Sequence, residues 1–321
     1  MSRPVNISLV SYPPFPADEP DRLDKTLQRM GSYVDAAACS GSKLVAFPET
    51  CNLLGLDHKC LQAEPLDGQT VSAMRKKASE RGLYVVCPLI TAENGRKYNT
   101  SVLIGPDGSI IGVYHKNVPT PGEIESGIHP GSDTPVFETD FGRVGLCICF
   151  DMNYWEVGSG LCANKAELVI WSSMWQGGRM LTKWAIEFGF YIGACYHGGS
   201  TFVDVAGREI LQMSRNVYDH LGSIADPIVS ASLDLDKRLI HHDYNILAYD
   251  SNMPKLKAAY EKYGSSSVYT EWKFDECLMI FGSLMPNIST DQIIEEFGIE
   301  TMRDYLSRSR KCRQQALDAD K

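Results

Sequence analysis

No stretch of the sequence approaches the ~20 consecutive apolar residues of a membrane-spanning helix. The first 20 residues contain one short apolar run followed by prolines and acids, so they lack the long apolar centre of a signal peptide. Basic residues are in the minority, since 31 Lys and Arg face 40 Asp and Glu, and they form no block dense enough to neutralise a row of phosphates. We therefore expect neither a membrane nor a nucleic acid as a partner.

Motifs for phosphate or metal binding are missing or weak. No segment matches the P-loop, and the Gly-Ser-Gly at 158–160 lacks the third glycine of a dinucleotide-binding turn. His241, His242 and Asp243 suggest a metal site, but consecutive residues point in different directions and no second cluster has ligand spacing. We expect no metal and no cofactor, with a metal-dependent hydrolase built on these three residues as an alternative.

Ten cysteines are spread along the chain without an even framework of spacings. This distribution favours reduced thiols over disulfides, and with them a cytoplasmic protein. The composition is 44% hydrophobic and 22% charged, and a chain of this length can bury about three quarters of its extended surface. The sequence therefore indicates a folded globular protein.

Short apolar runs that read as strands alternate with segments of helical spacing over residues 6–89. An Asp-Gly turn at 107–108 then joins two strand-like runs in a hairpin. A comparable order recurs over residues 136–213, which predicts an α/β layered domain. From about residue 245 helices and turns predominate, so we divide the chain into a main domain, 1–245, and a helical C-terminal extension, 246–321.

Three chemically capable side chains fall just past the ends of apolar, strand-like runs: Glu49, Lys116 and Cys149. A cysteine at a strand end can project into a cleft beside free backbone N–H groups, which suits a nucleophile with an oxyanion site. Cys147 lies two residues earlier, and we expect it on the same face but deeper in the strand. Either cysteine alone is more often a small buried hydrophobe. Three such residues at three strand ends favour a shared catalytic site.

At these residues the chain resembles the nitrilase superfamily of carbon-nitrogen hydrolases, whose catalytic triad is Glu, Lys and Cys in that order at comparable separations. The resemblance covers roughly residues 4–235. The segments that carry it are Phe47-Pro48-Glu49, Tyr98-Asn99-Thr100-Ser101 with the turn Gly105-Pro106-Asp107-Gly108, Tyr114-His115-Lys116, Pro130-Gly131, Phe141-Gly142-Arg143-Val144-Gly145 before Cys149, Ala166-Glu167-Leu168 with Trp175, and Gly199-Ser200-Thr201 with Asp204 and Gly207.

The resemblance implies a four-layer αββα sandwich that pairs into homodimers or higher homo-oligomers. It also implies that residues 1–245 form the catalytic domain, with 246–321 packing on that domain or on a neighbouring subunit. Within the site, the resemblance assigns Glu49 as the general base and Cys149 as the nucleophile. Lys116 and the backbone N–H of Phe150 are then the oxyanion donors.

The family often has a second glutamate shortly after the lysine, which orients the nucleophile or the attacking water. Glu123 fits that spacing better than Glu125. By the same correspondence Tyr154, Trp155 and Trp175 lie near the substrate pocket, although all three would also suit packing of the sandwich. His197 follows a strand where the family often has a longer pocket loop, so it is a further pocket candidate.

The residues after Cys149 bear on the substrate, which we expect to be a small-molecule amide. Branches that hydrolyse nitriles usually follow the cysteine with Trp-Glu, whereas Phe150-Asp151 is typical of amide-cleaving branches. Met152 and Asn153 stand where the branches for dicarboxylic monoamides and N-carbamoyl amino acids carry an arginine. The resemblance therefore favours an aliphatic or aromatic amide of modest polarity. An N-carbamoyl amide hydrolase, a nitrilase or an inactive scaffold are the alternatives.

Overall fold

The computed structural model describes residues 2–57, 62–212, 228–241, 252–273 and 277–319. The strands in these ranges are β1 (Pro4–Val10), β2 (Leu44–Ala46), β3 (Tyr84–Glu93), β4 (Arg96–Ile104), β5 (Ile110–His115), β6 (Val136–Glu138), β7 (Arg143–Ile148), β8 (Leu168–Ser173), β9 (Tyr191–Tyr196), β10 (Gly199–Val203), β11 (Glu209–Gln212), β12 (Ile228–Asp234), β13 (Arg238–His241), β14 (Val268–Lys273) and β15 (Leu278–Ser283). The helices are α1 (Arg22–Cys39), α2 (Gln69–Arg81), α3 (Pro121–Glu125), α4 (Trp155–Ala163), α5 (Arg179–Phe188), α6 (Met253–Tyr263), α7 (Thr290–Phe297) and α8 (Met302–Ala319).

Two six-stranded sheets form the centre of the molecule. The first has the order β12-β1-β2-β3-β4-β5 and the second β11-β10-β9-β8-β7-β6. Three neighbouring strands in each run parallel, β1 to β3 and β7 to β9, and antiparallel pairs flank them. The parallel strands follow the helical crossovers that the sequence pattern predicts, as such strands require.

The faces of the sheets define four layers. Apolar residues of both sheets, such as Leu9 and Ile170, pack against each other between the sheets. Helices α1 and α2 cover the outer face of the first sheet through residues such as Met30 and Met74. Helices α4 and α5 cover the second sheet through residues such as Trp184. The structure thus confirms the predicted αββα sandwich.

The C-terminal part adds helices and also strands that the sequence analysis missed. A third sheet has the order β13-β15-β14 and shares a small apolar core with α6 and α7. Strand β14 reads VYTEWK and is mostly half-buried, so its polar residues hide the strand pattern. Strand β13 precedes residue 245 but pairs with β15 beyond it.

Helix α8 lies in the predicted helical extension. It contacts the main domain of the same chain, since Arg303 Nη2 donates to Ala166 O at 3.1 Å and to Phe188 O at 3.2 Å. Across the described ranges, no helix combines the length and the apolar character that crossing a membrane requires.

Candidate active site

Strand ends of both large sheets supply the candidate residues. Glu49 lies three residues beyond β2, Lys116 directly follows β5, and Cys149 directly follows β7. Strands β2 and β5 belong to the first sheet and β7 to the second. The sheets are tied together nearby, because Ser172 Oγ in β8 donates to Phe47 O at 2.8 Å. Facing strand ends of the two sheets therefore position Glu49, Lys116 and Cys149.

Glu49, Lys116 and Glu123 form one buried charged cluster. Lys116 Nζ is 2.9 Å from Glu49 Oε1, and 3.0 and 2.8 Å from the two carboxylate oxygens of Glu123. The three side chains are at most 5% exposed. Glu125 is exposed, so of the two glutamates considered after the lysine it is Glu123 that the structure brings to Lys116. Two carboxylates around one ammonium leave the cluster with a net negative charge.

Neutral donors complete the cluster. Asn99 Nδ2 is 2.8 Å from Glu49 Oε1 and 2.7 Å from Glu123 Oε1. The N–H of Met174 donates to Glu49 Oε2 at 3.0 Å, and the N–H of Thr120 donates to Glu123 Oε2 at 2.7 Å. Thr120 and Glu123 also form the capping box of α3. Each carboxylate therefore has both oxygens hydrogen-bonded.

Electrostatics keep Lys116 and Glu123 ionised. Burial favours the neutral amine of Lys116, but the carboxylates of Glu49 and Glu123 outweigh it and raise the pKa of Lys116. Burial likewise opposes ionisation of Glu123, but Lys116 and the N–H of Thr120 lower the pKa of Glu123 below its usual range. At neutral pH the site therefore holds a fixed ammonium beside an ionised Glu123.

Cys149 lies on a sharp turn at the end of β7. The strand ends at Ile148, and a short 3-10 helix runs over Cys149–Asn153. Cys149 has a φ of +43°, a left-handed conformation that costs a non-glycine residue about 1–3 kcal/mol. Trp171 Nε1 donates to Cys149 O at 3.0 Å and stabilises the turn. Thr50, next to Glu49, also has a positive φ, of +48°.

The expectation that Cys147 shares a face with Cys149 is wrong. Cys147 is fully buried in the apolar core beneath α4 and α5. Cys149 is half-buried and packs against the core between the sheets. The alternation of a strand breaks because the chain leaves β7 at Ile148 and turns through the positive φ of Cys149. Of these two cysteines, Cys149 is therefore the one that combines accessibility with closeness to the charged cluster.

The Cys149 thiol is neutral at physiological pH. Burial and the negative charge of Glu49 raise the pKa of Cys149 to about 12, although Lys116, the Ser173 hydroxyl and the N–H of Met174 act in the opposite direction. That N–H is the one bonded to Glu49 Oε2, so the carboxylate and the thiol are neighbours. A thiol with so high a pKa needs a base to take its proton as it attacks. Glu49 is placed to be that base.

Asp151, two residues after Cys149, braces this corner. Its carboxylate accepts from Tyr114 Oη at 2.6 Å, the N–H of Val118 at 2.8 Å and the N–H of Ile148 at 3.1 Å. Burial raises the pKa of Asp151 to about 6 despite these donors. Asp151 thereby links the end of β7 to the end of β5, next to Lys116. The sequence analysis used Asp151 only to infer the substrate class.

A cavity of about 300 Å³ lies beside this cluster and is lined by Pro14, Leu54, Gly55, Met174 and His197. Its walls are mainly apolar, and burial lowers the pKa of His197, which is therefore neutral at pH 7. Met174 connects the cavity to Glu49 through its N–H. This arrangement suits an uncharged group of a ligand.

Of the four predicted pocket residues, His197 lines the cavity, whereas the three aromatic residues make other contacts. Trp155 packs against Phe188 with ring centroids 6.2 Å apart. Tyr154 packs against Phe150 with ring centroids 5.6 Å apart, and Trp175 packs against Trp171 at 5.7 Å. Trp175 is 39% exposed. Leu54 and Met174 were not predicted; Leu54 lies five residues after Glu49, and Met174 directly follows β8.

The alternative metal site has one member in the described part of the chain. His241 is buried there and stacks on Tyr305 with ring centroids 3.7 Å apart. His242 and Asp243 lie outside the described residues. Among the described residues no group of three or more His, Cys, Asp or Glu could hold a metal ion.

Solved structures resemble this fold closely. An amidase from Nesterenkonia sp. aligns with a TM-score of 0.63 at 21% identity, covering 73% of this chain and 91% of the amidase. A variant of the Nesterenkonia sp. AN1 amidase, with the acetamide moiety of fluoroacetamide on its active-site cysteine, aligns with a TM-score of 0.60 at 19% identity. At this level of identity the likeness shows a shared fold.

Sequence relatives point the same way. The omega-amidase NIT2 of Homo sapiens is 30% identical over 153 residues, which cover 44% of this chain and 55% of the human protein. A hydrolase of Mycobacterium tuberculosis is 33% identical over 168 residues, which cover 50% of this chain and 60% of that protein. The chain thus spans little more than half the length of these curated relatives. Residues 7–238 match the carbon-nitrogen hydrolase family. This chain, as its resemblance to the nitrilase superfamily implies, belongs to the carbon-nitrogen hydrolase family.

Proposed function

We propose that the protein is an amidase-type hydrolase that cleaves an uncharged carboxamide through a thioester on Cys149. The observation that carries the proposal is the buried cluster of Glu49, Lys116 and Glu123 beside a neutral thiol. A base, a fixed cation and a nucleophile are the parts that acyl transfer requires. The acetamide adduct on the active-site cysteine of the Nesterenkonia amidase variant supports a nucleophilic cysteine in this fold.

In acylation, Cys149 Sγ attacks the amide carbonyl carbon while its proton passes to Glu49. The carbonyl electrons move to oxygen, where the Lys116 ammonium and the N–H of Phe150 stabilise the negative charge. The carbon–nitrogen bond then breaks as protonated Glu49 gives its proton to the leaving nitrogen. Ammonia or an amine departs, and the acyl group stays on Cys149 as a thioester.

In deacylation, Glu49 takes a proton from water as the water oxygen attacks the thioester carbon. The same donors stabilise the second oxyanion, the carbon–sulfur bond breaks, and Glu49 returns the proton to Cys149. The net reaction consumes one amide and one water and yields a carboxylic acid with ammonia or an amine. Glu123 holds Lys116 in position throughout, because both of its oxygens bond Nζ.

The apolar cavity beside Met174 supports a neutral acyl group as the substrate's larger part. An unpaired carboxylate would lose its hydration there, which is costly. Met152 and Asn153 have uncharged side chains, so neither provides the cation that a carboxylate would need. Met152 is also fully buried, and Asn153 Nδ2 donates to Phe150 O. The relatives named omega-amidases are therefore a guide to the bond cleaved rather than to the acyl group.

The first test measures ammonia release from isobutyramide, benzamide, succinamate, N-carbamoylalanine and propionitrile. We expect kcat/KM for the two neutral amides to exceed that for succinamate by about tenfold or more, since the latter brings a carboxylate into an apolar site. The Cys149→Ala variant, purified by the same procedure as the wild type, serves as the blank for contaminating hydrolases. Faster release from succinamate, the carbamoyl compound or the nitrile would contradict the proposed substrate class.

Lys116→Ala is expected to lower kcat/KM by about 10²–10³-fold, because it removes one oxyanion donor. Lys116→Arg should not restore the rate, since a planar guanidinium cannot take the place of a compact ammonium between two carboxylates. Exposed Lys97 on β4 gives the control variant Lys97→Ala. Steady-state rates with circular dichroism of each variant check this. A near-normal rate for the arginine variant would show that Lys116 is not an oxyanion donor.

A further inference from the structure

The Asn99 side chain in β4 lies between the two carboxylates of the cluster. It is 1% exposed, and its Nδ2 is 2.8 Å from Glu49 Oε1 and 2.7 Å from Glu123 Oε1. Lys116 Nζ bonds the same two oxygens at 2.9 and 3.0 Å. Two donors therefore alternate with two carboxylate oxygens around a closed, buried ring.

Two carboxylates that share a buried site repel each other, which favours protonation of one of them. Lys116 offsets one negative charge. The Asn99 amide adds N–H donors without a further charge, so it stabilises ionised carboxylates without a second cation that would weaken a base. Burial opposes ionisation of Glu123, but Lys116 and, to a smaller degree, Asn99 lower its pKa.

Asn99 also fixes the orientation of Glu49. Asn99 and Lys116 hold Oε1, while the N–H of Met174 holds Oε2 at 3.0 Å. The N–H of Met174 also acts on the Cys149 thiol. Three donors on two oxygens set the plane of the carboxylate relative to the thiol. Removing Asn99 leaves Oε1 on Lys116 alone.

The other end of the Asn99 amide gives a second, independent observation. Its Oδ1 is buried and has no hydrogen-bond partner among the described residues. A buried carbonyl oxygen without a partner costs stability, and an apolar side chain of similar volume would avoid that cost. The unpartnered oxygen therefore costs stability, and the N–H groups that face the two carboxylates offset that cost.

We propose that Asn99 is a positioning residue for the hydrolysis proposed above. Through Nδ2 it bridges the carboxylates of Glu49 and Glu123 and aligns Glu49 with the Cys149 thiol. It does not touch the reacting atoms. The inference rests on the proposed function, but the Cys149 thiol gives it a readout of its own.

The test compares Asn99→Ala and Asn99→Leu with the wild type. We expect kcat for a neutral amide to fall about 10- to 100-fold in both, because a small displacement of the base slows proton transfer. KM should stay within about twofold, since Asn99 does not line the cavity. The acid limb of the pH profile should move up by about 1 unit, because the carboxylates lose a donor to their charged forms.

Asn52→Ala is a matched control. Asn52 is also 1% exposed, its Nδ2 donates to Glu64 Oε1 at 2.8 Å, and its Oδ1 likewise has no partner among the described residues. Its bonds do not include the charged cluster. Asn52→Ala should lower the melting temperature without moving the acid limb.

Alkylation of Cys149 by iodoacetamide separates the two proposals, because it needs the base and the thiol but no amide hydrolysis. We expect the Asn99 variants to be alkylated about 10- to 100-fold more slowly, with the same shift of the acid limb. If no amide is hydrolysed by the wild type but alkylation behaves this way, the proposed function fails and the role of Asn99 stands.

Three results would overturn the role of Asn99. The first is a wild-type rate and acid limb in a folded Asn99→Ala or Asn99→Leu. The second is an equal shift of the limb in Asn52→Ala. The third is failure of both Asn99 variants to fold, which would make the residue structural.

Discussion

Cys149→Ala should lower kcat/KM for any amide substrate by at least about 10⁴-fold while the protein stays folded. The loss is large because the thiol forms the covalent bond, and neither Glu49 nor Lys116 can replace it. The change removes one half-buried sulfur atom, so the core is nearly unaffected. Ammonia release, with near-ultraviolet circular dichroism and a melting curve, measures both parts of this prediction.

Cys147→Ala is the matched control for that variant. Cys147 is two residues away, but it lies in the apolar core under α4 and α5 and has no place in the proposed chemistry. It should keep most of its activity and lose some thermal stability, because the substitution leaves a small cavity. An active Cys149→Ala, or a folded and inactive Cys147→Ala, would contradict the assignment of the nucleophile.

Glu49→Gln is expected to slow acylation by an activated ester about 10²–10⁴-fold, because it removes the base that takes the proton of the thiol. The pH dependence carries the sharper test. With the pKa of Cys149 raised to about 12, the wild-type thiol stays protonated from pH 7 to 10. Glu49 takes its proton during attack, so the acylation rate should not change with pH over this range. In the variant, attack depends on the thiolate, whose fraction rises about tenfold per pH unit below its pKa.

Glu123→Gln and Glu125→Gln complete this comparison. Glu123 bonds Lys116 through both oxygens and does not act on the reacting atoms, so its variant should still acylate measurably, although more slowly than the wild type. Glu125 is exposed, so its variant should match the wild type. Rapid acylation of Glu49→Gln with normal deacylation would overturn the general-base assignment. A defect in Glu125→Gln with a normal Glu123→Gln would assign the role of the second glutamate to Glu125 instead of Glu123.

Much of the site was accessible from the sequence because strand ends leave a local signature. A polar residue just past an apolar run marks Glu49, Lys116 and Cys149, and the family resemblance supplies their order. The resemblance also implies a second glutamate shortly after the lysine, and Glu123 fits that spacing. The α/β layering followed from alternating strand and helix patterns, since burial of apolar faces sets that rhythm, whereas the four-layer αββα arrangement is what the family resemblance implies.

Other features depend on contacts between residues far apart in the chain. The bonds of Asn99 span 50 and 24 residues, and no local pattern encodes them. The cavity brings Pro14 and Leu54 to His197 across three separate segments. The prediction that Cys147 and Cys149 share a face was wrong because a positive φ at Cys149 breaks the strand alternation. Sequence patterns do not reveal such a turn in a non-glycine residue.

The strands of the C-terminal part were missed for a different reason. Strand β14 contains Thr, Glu and Lys, so its own sequence gives a weak strand pattern. Its pairing with the apolar β15 stabilises it. Strand propensity depends on such cross-strand neighbours. A pattern that is read one segment at a time cannot detect them.

The central claim is that Cys149 carries the acyl group during turnover, and peptide mass spectrometry of acid-quenched wild-type protein tests it most directly. Trypsin leaves Cys147, Cys149 and Cys162 on one peptide, 144–165, so fragment ions must locate the adduct. After a brief reaction with an activated ester, we predict the acyl mass on Cys149 and its absence from Cys149→Ala treated in parallel. An adduct on Cys147, or turnover with no cysteine adduct at all, would contradict the account.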